Sequence, residues 1–159
     1  MSDFCAIGVV SGKTEANIGT LWRSARTMGA AFIFTVGRRH PLQSSDTVKA
    51  HRSIPLFEFE SIEDLVAHLP YGCRLVGVEL DERSAPLHRY RHPNQACYLL
   101  GAEDHGLTPK ERGACHELVQ IKGPARCLNV AVSGSILLYD RLRQFNRQIA
   151  SLNHKEIQR

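Results

Sequence analysis

The segment ACYLLGAEDHGL (residues 96–107) is an apolar run that opens into a polar loop. Its first five residues are apolar without alternation, which predicts a strand buried on both faces. Gly101 follows this strand and leaves room for a ligand at the strand end. Glu103 stands where sheet changes to loop, although an ordinary acidic turn is the alternative. The glycine spacing is neither that of a dinucleotide-binding motif nor that of a Walker loop.

Similar apolar runs recur along the chain and alternate with segments of helical periodicity. We predict strands at residues 4–10, 31–36, 55–59, 75–80, 96–100 and 118–121. We predict helices at residues 17–28, 61–69, 109–114 and 128–149. This alternation predicts an α/β fold with a mainly parallel sheet and helices on both faces. Ligands of such sheets bind beyond the carboxyl ends of the strands.

Length and composition are those of one globular domain. The chain has 159 residues, of which 43% are hydrophobic and 23% charged, as is ordinary for such a domain. We expect the domain to span residues 1–150 and residues 151–159 to form a frayed tail. No apolar run approaches the ~20 residues of a membrane-spanning helix, and the first residues do not resemble a signal peptide. These features predict a cytoplasmic protein.

Cysteine and histidine spacing gives no sign of a disulfide framework or a metal site. The five cysteines are Cys5, Cys73, Cys97, Cys115 and Cys127. Their number is odd and no two of them form a CxxC pair. The eight histidines show no HExxH or paired-ligand spacing. We therefore expect free thiols in a reducing compartment and no bound metal.

Two predicted loops carry clusters of basic side chains, within a formal net charge of only +4. The first loop contains Arg38, Arg39, Lys49 and Arg52, and the second contains Arg89 and Arg91. Cationic loops of this kind can contact RNA phosphates. A solvated surface is the alternative for each cluster.

Two further segments combine helix signals with unusual polar or small residues. NIGTLWRSA (residues 17–25) places Asn17 at the predicted helix start, where its side chain can cap backbone donors. The alternative to a functional role for this segment is an ordinary capped helix with a solvated Arg23. CLNVAVSGSILLYDR (residues 127–141) begins the longest helix with small, uncharged residues that are weak helix formers. Either a cofactor or another backbone lies against this face, or the helix packs tightly under the sheet.

Together and in this order, the three segments resemble the motifs of the SpoU-type (TrmH-like) branch of the SPOUT RNA methyltransferases, in its minimal single-domain form. NIGTLWRSA resembles the first motif, LLGAEDHGL the second and CLNVAVSGSILLYDR the third. The resemblance implies an α/β domain with a C-terminal trefoil knot that binds S-adenosylmethionine (SAM). It also implies a homodimer with shared active sites, and methylation of ribose 2′-hydroxyls in tRNA or rRNA.

The resemblance assigns roles to individual residues. Candidate catalytic residues are Asn17, Arg23, Glu103 and Asn129. Candidate cofactor-binding residues are Gly101, Ile121, Leu128 and, by its place at a strand end, Leu80. The chain departs from the family pattern at Cys127, where serine is usual, and at Lys122, where proline is usual.

Methyl transfer from SAM to an alcohol is a displacement with an excellent leaving group, so positioning dominates its catalysis. Because a guanidinium scarcely deprotonates, we assign Arg23 to holding the RNA and stabilising the developing alkoxide. The proton acceptor is left open. Two alternatives are a catalytically silent RNA-binding relative, which Cys127 keeps open, and an unrelated α/β enzyme with a nucleotide cofactor. The lack of a glycine-rich phosphate loop argues against the second.

Overall fold

The computed structural model of the chain describes residues 3–10, 15–37, 54–124 and 128–157. The strands are β1 (Phe4–Val10), β2 (Phe32–Val36), β3 (Leu56–Phe59), β4 (Arg74–Val78), β5 (Ala85–Pro86), β6 (Gln95–Leu100) and β7 (Glu117–Gln120). The helices are α1 (Glu15–Thr27), α2 (Ile62–Ala67), α3 (Pro109–Ala114) and α4 (Val130–Ile157), with a 3-10 turn at Leu87–Arg89. All predicted strands and helices are found.

The strands form one sheet in the order β3-β2-β1-β6-β4-β7-β5, and every neighbouring pair is parallel. The central strands β1 and β6 run side by side from Phe4 beside Gln95 to Val9 beside Leu100. The predicted α/β class with a parallel sheet is therefore confirmed. The sequence did not predict β5, because two residues give no periodicity. The trefoil knot stays a prediction.

One face of the sheet is covered by α1 and α4. Leu21 and Trp22 of α1 are fully buried there, together with Leu137 and Leu138 of α4. A methyl group on Gly134 would lie 3.0 Å from a methyl of Leu100 and still closer to one of Leu21. The small residues at the start of α4 thus allow this helix to pack tightly under the sheet, which was one of the two alternatives.

The other face is covered by the shorter helices α2 and α3. Both begin with a side-chain cap: the Ser61 hydroxyl accepts a hydrogen bond from the Asp64 backbone N–H at 3.2 Å. Thr108 and Glu111 form a reciprocal capping box at the start of α3. The fold therefore has helices on both faces, as predicted.

A buried polar network joins α4 to the edge of the sheet where β1 and β6 begin. Arg141 is 5% exposed, and its guanidinium donates hydrogen bonds to the carbonyls of Phe4 at 3.1 Å and Asn94 at 2.8 Å. Beside it, the His92 ring lies 2.6 Å from the Tyr98 hydroxyl. Burial lowers the pKa of His92 to about 4, so this ring is neutral at pH 7.

The longest helix differs most from its prediction. It begins at Val130 and continues to Ile157, whereas we predicted an end near residue 149. The segment 151–159, predicted as frayed, is therefore helical as far as Ile157. No glycine or proline follows Gly134 in the sequence, so nothing there terminates the helix. Within the described residues, none of the helices combines the length and apolar character needed to cross a bilayer.

Candidate functional site

A cavity of about 460 Å³ lies beyond the carboxyl ends of β4, β6 and β7. Its walls are formed by residues 78–80, 100–106 and 128–130, with Ile121, Ser133 and Asn17. The starts of both α1 and α4 thus meet the strand ends at this edge. This is the position at which parallel α/β sheets bind their ligands.

Most of the predicted catalytic and cofactor-binding residues line this cavity. They are Asn17, Leu80, Gly101, Glu103, Ile121, Leu128 and Asn129. The fold therefore brings three separate sequence segments to one place. Arg23 is different, because it lies half-buried on α1 and is not among the lining residues.

Three polar side chains form a hydrogen-bonded chain across the cavity wall. The Asn129 side-chain amide donates to Oδ1 of Asn17 at 2.8 Å, and the Asn17 amide donates to Oε1 of Glu103 at 2.9 Å. Oδ1 of Asn129 accepts from the backbone N–H of Ala131 at 2.9 Å. Because Oδ1 of Asn129 accepts from the helix start, its NH₂ group must face Asn17. The Asn17 oxygen then accepts that bond, and its own NH₂ group faces Glu103. Glu103 consequently receives a donor and acts as the acceptor at the end of the chain.

The position of Asn17 corrects the expectation that it caps α1. The helix begins earlier, at Glu15, so Asn17 lies inside the first turn. Its side chain bonds across to the two other motif segments. A capping asparagine is found instead at the other helix of the cavity: the side-chain oxygen of Asn129 accepts from the N–H groups of Ala131 and Val132 at the start of α4.

Gly101 allows a close approach of the chain to itself. The loop after it closes on itself through hydrogen bonds between Ala102 and Gly106, at 3.1 and 2.8 Å. A Cβ on Gly101 would lie 2.5 Å from the backbone nitrogen of Leu107. The group that approaches Gly101 closely is therefore the chain's own backbone, and not only a ligand as the sequence predicted. The loop is a compact part of the cavity wall.

Sequence reasoning missed Glu79, which also lines the cavity. Its carboxylate accepts hydrogen bonds from the backbone N–H of Leu107 at 2.6 Å and of Leu80 at 2.9 Å. The signal that could have revealed it is its place at the carboxyl end of an apolar strand. In parallel sheets a polar residue at that point faces the ligand-binding edge.

The described lining residues carry acidic side chains but no lysine or arginine. The carboxylates belong to Glu79, Glu103 and Asp104. Nδ1 of His105 lies 2.7 Å from Oδ1 of Asp104. An excess of carboxylates with apolar walls favours a ligand that carries positive charge.

The predicted RNA-contacting residues are only partly within the described residues. Outside them lie Arg38, Arg39, Lys49 and Arg52, as does Cys127. Arg89 and Arg91 are exposed. Arg91 precedes the start of β6 and so lies at the edge of the sheet opposite the cavity. In the described part of the chain, no three His, Cys, Asp or Glu residues are grouped to hold a metal ion.

Comparison with known proteins finds a family model and relatives that match most of the chain. Residues 5–139 match the SpoU rRNA Methylase family. The chain is 27% identical over 136 residues to the 23S rRNA (guanosine-2′-O-)-methyltransferase RlmB of Acinetobacter baylyi, covering 80% of this chain and 55% of that protein. It is 32% identical over 139 residues to the tRNA (guanosine(18)-2′-O)-methyltransferase TARBP1 of Mus musculus, covering 80% of this chain and 9% of that protein.

A solved structure shares the fold. The SpoU methyltransferase AviRb from Streptomyces viridochromogenes, in complex with the cofactor AdoMet, superposes with a TM-score of 0.75 at 26% identity. The superposition covers 91% of this chain and 58% of that chain. The chain therefore spans about half the length of this structure and of the rRNA enzyme, and far less of the mouse protein.

Proposed function

Because this chain belongs to the SpoU rRNA methylase family, we propose that it is a SAM-dependent methyltransferase that modifies ribose 2′-hydroxyls of tRNA or rRNA. The single observation that carries the proposal is the cavity in which the three motif segments meet. Asn17 comes from the first segment, Glu103 from the second and Asn129 from the third, and hydrogen bonds join them in a row. An RNA substrate of this kind implies a cytoplasmic location.

The residues of the cavity suit SAM. A volume of about 460 Å³ lies in the range of sites for ligands of this size. Leu80, Ile121 and Leu128 supply apolar surface in the cavity wall, and Gly101 follows the end of β6 at the same edge. The carboxylates in the wall complement the positive charges of the sulfonium and the amino group. When bound, SAM supplies an electrophilic methyl group.

The chain's own residues contribute positioning. The fixed orientations of the Asn129 and Asn17 amides hold Glu103 as a hydrogen-bond acceptor at the cavity. An acceptor placed in this way can receive the hydrogen bond of a ribose hydroxyl and aim its oxygen. Arg23 lies outside the walls of its own cavity, so we propose that it enters the cavity of a partner subunit. There it binds RNA and stabilises charge on the attacking oxygen.

The RNA-binding role of the basic loops belongs to the same proposal. We assign phosphate contacts to Arg38, Arg39, Lys49, Arg52, Arg89 and Arg91. The exposure of the last two leaves them accessible to a polyanion. Because Arg91 lies opposite the cavity, this assignment requires an RNA that reaches around the molecule or a partner subunit that presents its own cavity nearby.

Transfer of labelled methyl groups tests the function. We expect the purified protein to move radiolabel from SAM to RNA isolated from cells that lack it, with the label in alkali-stable dinucleotides, as a methylated 2′-oxygen requires. Label in alkali-labile mononucleotides would show base methylation instead. SAM binding without any transfer would identify a catalytically silent relative.

Gly101→Ala is expected to weaken binding of S-adenosylhomocysteine (SAH), the demethylated product, by about tenfold or more. The added methyl would press on the Gly106–Leu107 backbone and displace the cavity wall. Isothermal titration measures the effect. Gly113→Ala is the matched control, because a Cβ at Gly113 meets nothing within 4 Å. Equal affinities for the two variants would contradict this account of the wall.

We also propose that the protein is a homodimer that pairs through α4. Val132, Ile136 and Tyr139 are 44%, 38% and 59% exposed, and their spacing places them on one side of the helix. An apolar stripe on the longest helix is typical of an interface. Its position directly after Asn129 would bring a partner close to the cavity.

Ile136→Lys is expected to shift the protein from dimer to monomer, because a charge would be buried in the apolar contact. Sedimentation should give a mass near 17.8 kDa for the variant and twice that for the unaltered protein. Val66→Lys is the control, since Val66 is also an exposed helical residue, 42% accessible, but lies on α2. A monomeric unaltered protein at micromolar concentration would rule out the dimer.

A further inference from the structure

The Glu79 side chain links the end of β4 to the loop that carries Glu103. One carboxylate oxygen accepts the Leu107 N–H at 2.6 Å, and the other accepts the Leu80 N–H at 2.9 Å. The Glu79 backbone is fixed as well, because its N–H donates to the Val119 carbonyl of β7 at 3.0 Å. The Glu79 backbone is therefore fixed where β4 and β7 lie side by side, and its carboxylate holds the loop through the Leu107 N–H.

The loop is shaped to receive this carboxylate. Gly106 has a φ of +69°, a conformation that favours glycine. A Cβ on Gly106 would overlap the Glu79 carboxylate. Gly106 also pairs with Ala102 and so closes the loop. Glu79 thus binds the loop directly beside the Ala102–Gly106 pair that closes it, and Glu103 lies between these two paired residues.

Resting on the proposed function, we propose that Glu79 is a positioning residue of the methyl-transfer site. It holds residues 101–107 so that Gly101 forms the cofactor wall and Glu103 stays bonded to Asn17. Neither the family motifs nor the sequence pattern assigns this role. A carboxylate suits it because both of its oxygens accept hydrogen bonds, which two backbone N–H donors require.

Replacement by glutamine isolates this requirement with little change in volume. The amide oxygen of Glu79→Gln can satisfy one backbone N–H, but its NH₂ group would face the other donor. One bond is therefore lost: either the loop loses its bond at Leu107, or the side chain loses the Leu80 bond that orients it toward the loop. Glu82→Gln is the matched control, since Glu82 is an exposed carboxylate three residues further along and does not line the cavity.

The experiment compares these variants by SAH titration, hydrogen exchange at the Leu107 amide and thermal unfolding. For Glu79→Gln we expect about tenfold weaker SAH binding and at least about tenfold faster Leu107 exchange, as loss of one backbone hydrogen bond predicts. Glu82→Gln should match the unaltered protein in both. Should Glu79→Gln not fold, Glu79→Asp, which is too short to reach both donors, is measured in the same way.

Two results would overturn the inference. One is SAH affinity and Leu107 exchange equal to those of the control. The other is a lower melting temperature with unchanged affinity, measured where every variant is folded, which would make Glu79 merely stabilising. An unaltered protein that binds no SAH would instead overturn the proposed function, and Leu107 exchange alone would then decide whether Glu79 holds the loop.

Discussion

Arg23→Ala is expected to slow single-turnover methylation by at least ~100-fold, as does loss of one donor to a developing oxyanion. Binding of SAH should stay within about twofold of the unaltered protein, because the role proposed for Arg23 is contact with the RNA and the attacking oxygen and not with the cofactor. Arg23→Lys should recover little, since a point charge does not replace a planar guanidinium. A near-normal rate for Arg23→Ala would remove this residue from the catalytic set.

A mixture of two inactive variants tests whether Arg23 serves the cavity of the partner subunit. Arg23→Ala and Glu103→Gln are co-expressed, so that half of the dimers contain one subunit of each. If the site is shared, each mixed dimer has one complete site, and about a quarter of the normal activity returns. If Arg23 serves its own cavity, the mixture stays inactive.

Arg141→Ala is expected to lower the free energy of unfolding by about 3 kcal/mol or more, because the hydrogen bonds of a buried arginine to backbone carbonyls would be lost. The guanidinium bonds the carbonyls of Phe4 and Asn94 and stacks on the Phe145 ring at 4.2 Å. Urea denaturation of the two proteins measures the difference.

Arg143→Ala is the control for that prediction. Arg143 lies on the same helix and pairs with Asp140 at 2.7 Å, but its side chain is 37% exposed. Partly solvated ion pairs contribute under about 1 kcal/mol. If the Arg141 and Arg143 variants lose equal stability, the buried network is not the main attachment of α4 at that edge.

The sequence allowed the sheet and the location of the site to be predicted, because both depend on local patterns. Apolar runs without alternation require burial on two faces, and the segments that follow them must then gather at one edge. This reasoning singled out Glu103 at that edge, whereas Asn129 came from the family resemblance, and both residues line one cavity. It could not show that Asn17 bonds both of them, since that depends on the start of α1 two residues earlier.

Contacts between distant segments were beyond such reasoning. Glu79 is an ordinary acid in the sequence, and only the return of the chain at Leu107, 28 residues later, gives its carboxylate a second donor beside the Leu80 N–H. The buried position of Arg141 was hidden for the same reason, because arginine is usually exposed. The pattern of one segment carries no information on which backbone carbonyls another segment leaves unpaired.

The bond between Arg141 and Phe4 joins residues 137 positions apart, and this separation bears on how the chain folds. The first strand lies at the centre of the sheet, yet α4, one of the two helices that cover its face, comes after all seven strands in the chain. Contacts of such long range close late and slowly. During synthesis the part of this face that packs against α4 therefore stays uncovered until α4 itself has been made, and the nascent protein is most prone to aggregate in that interval.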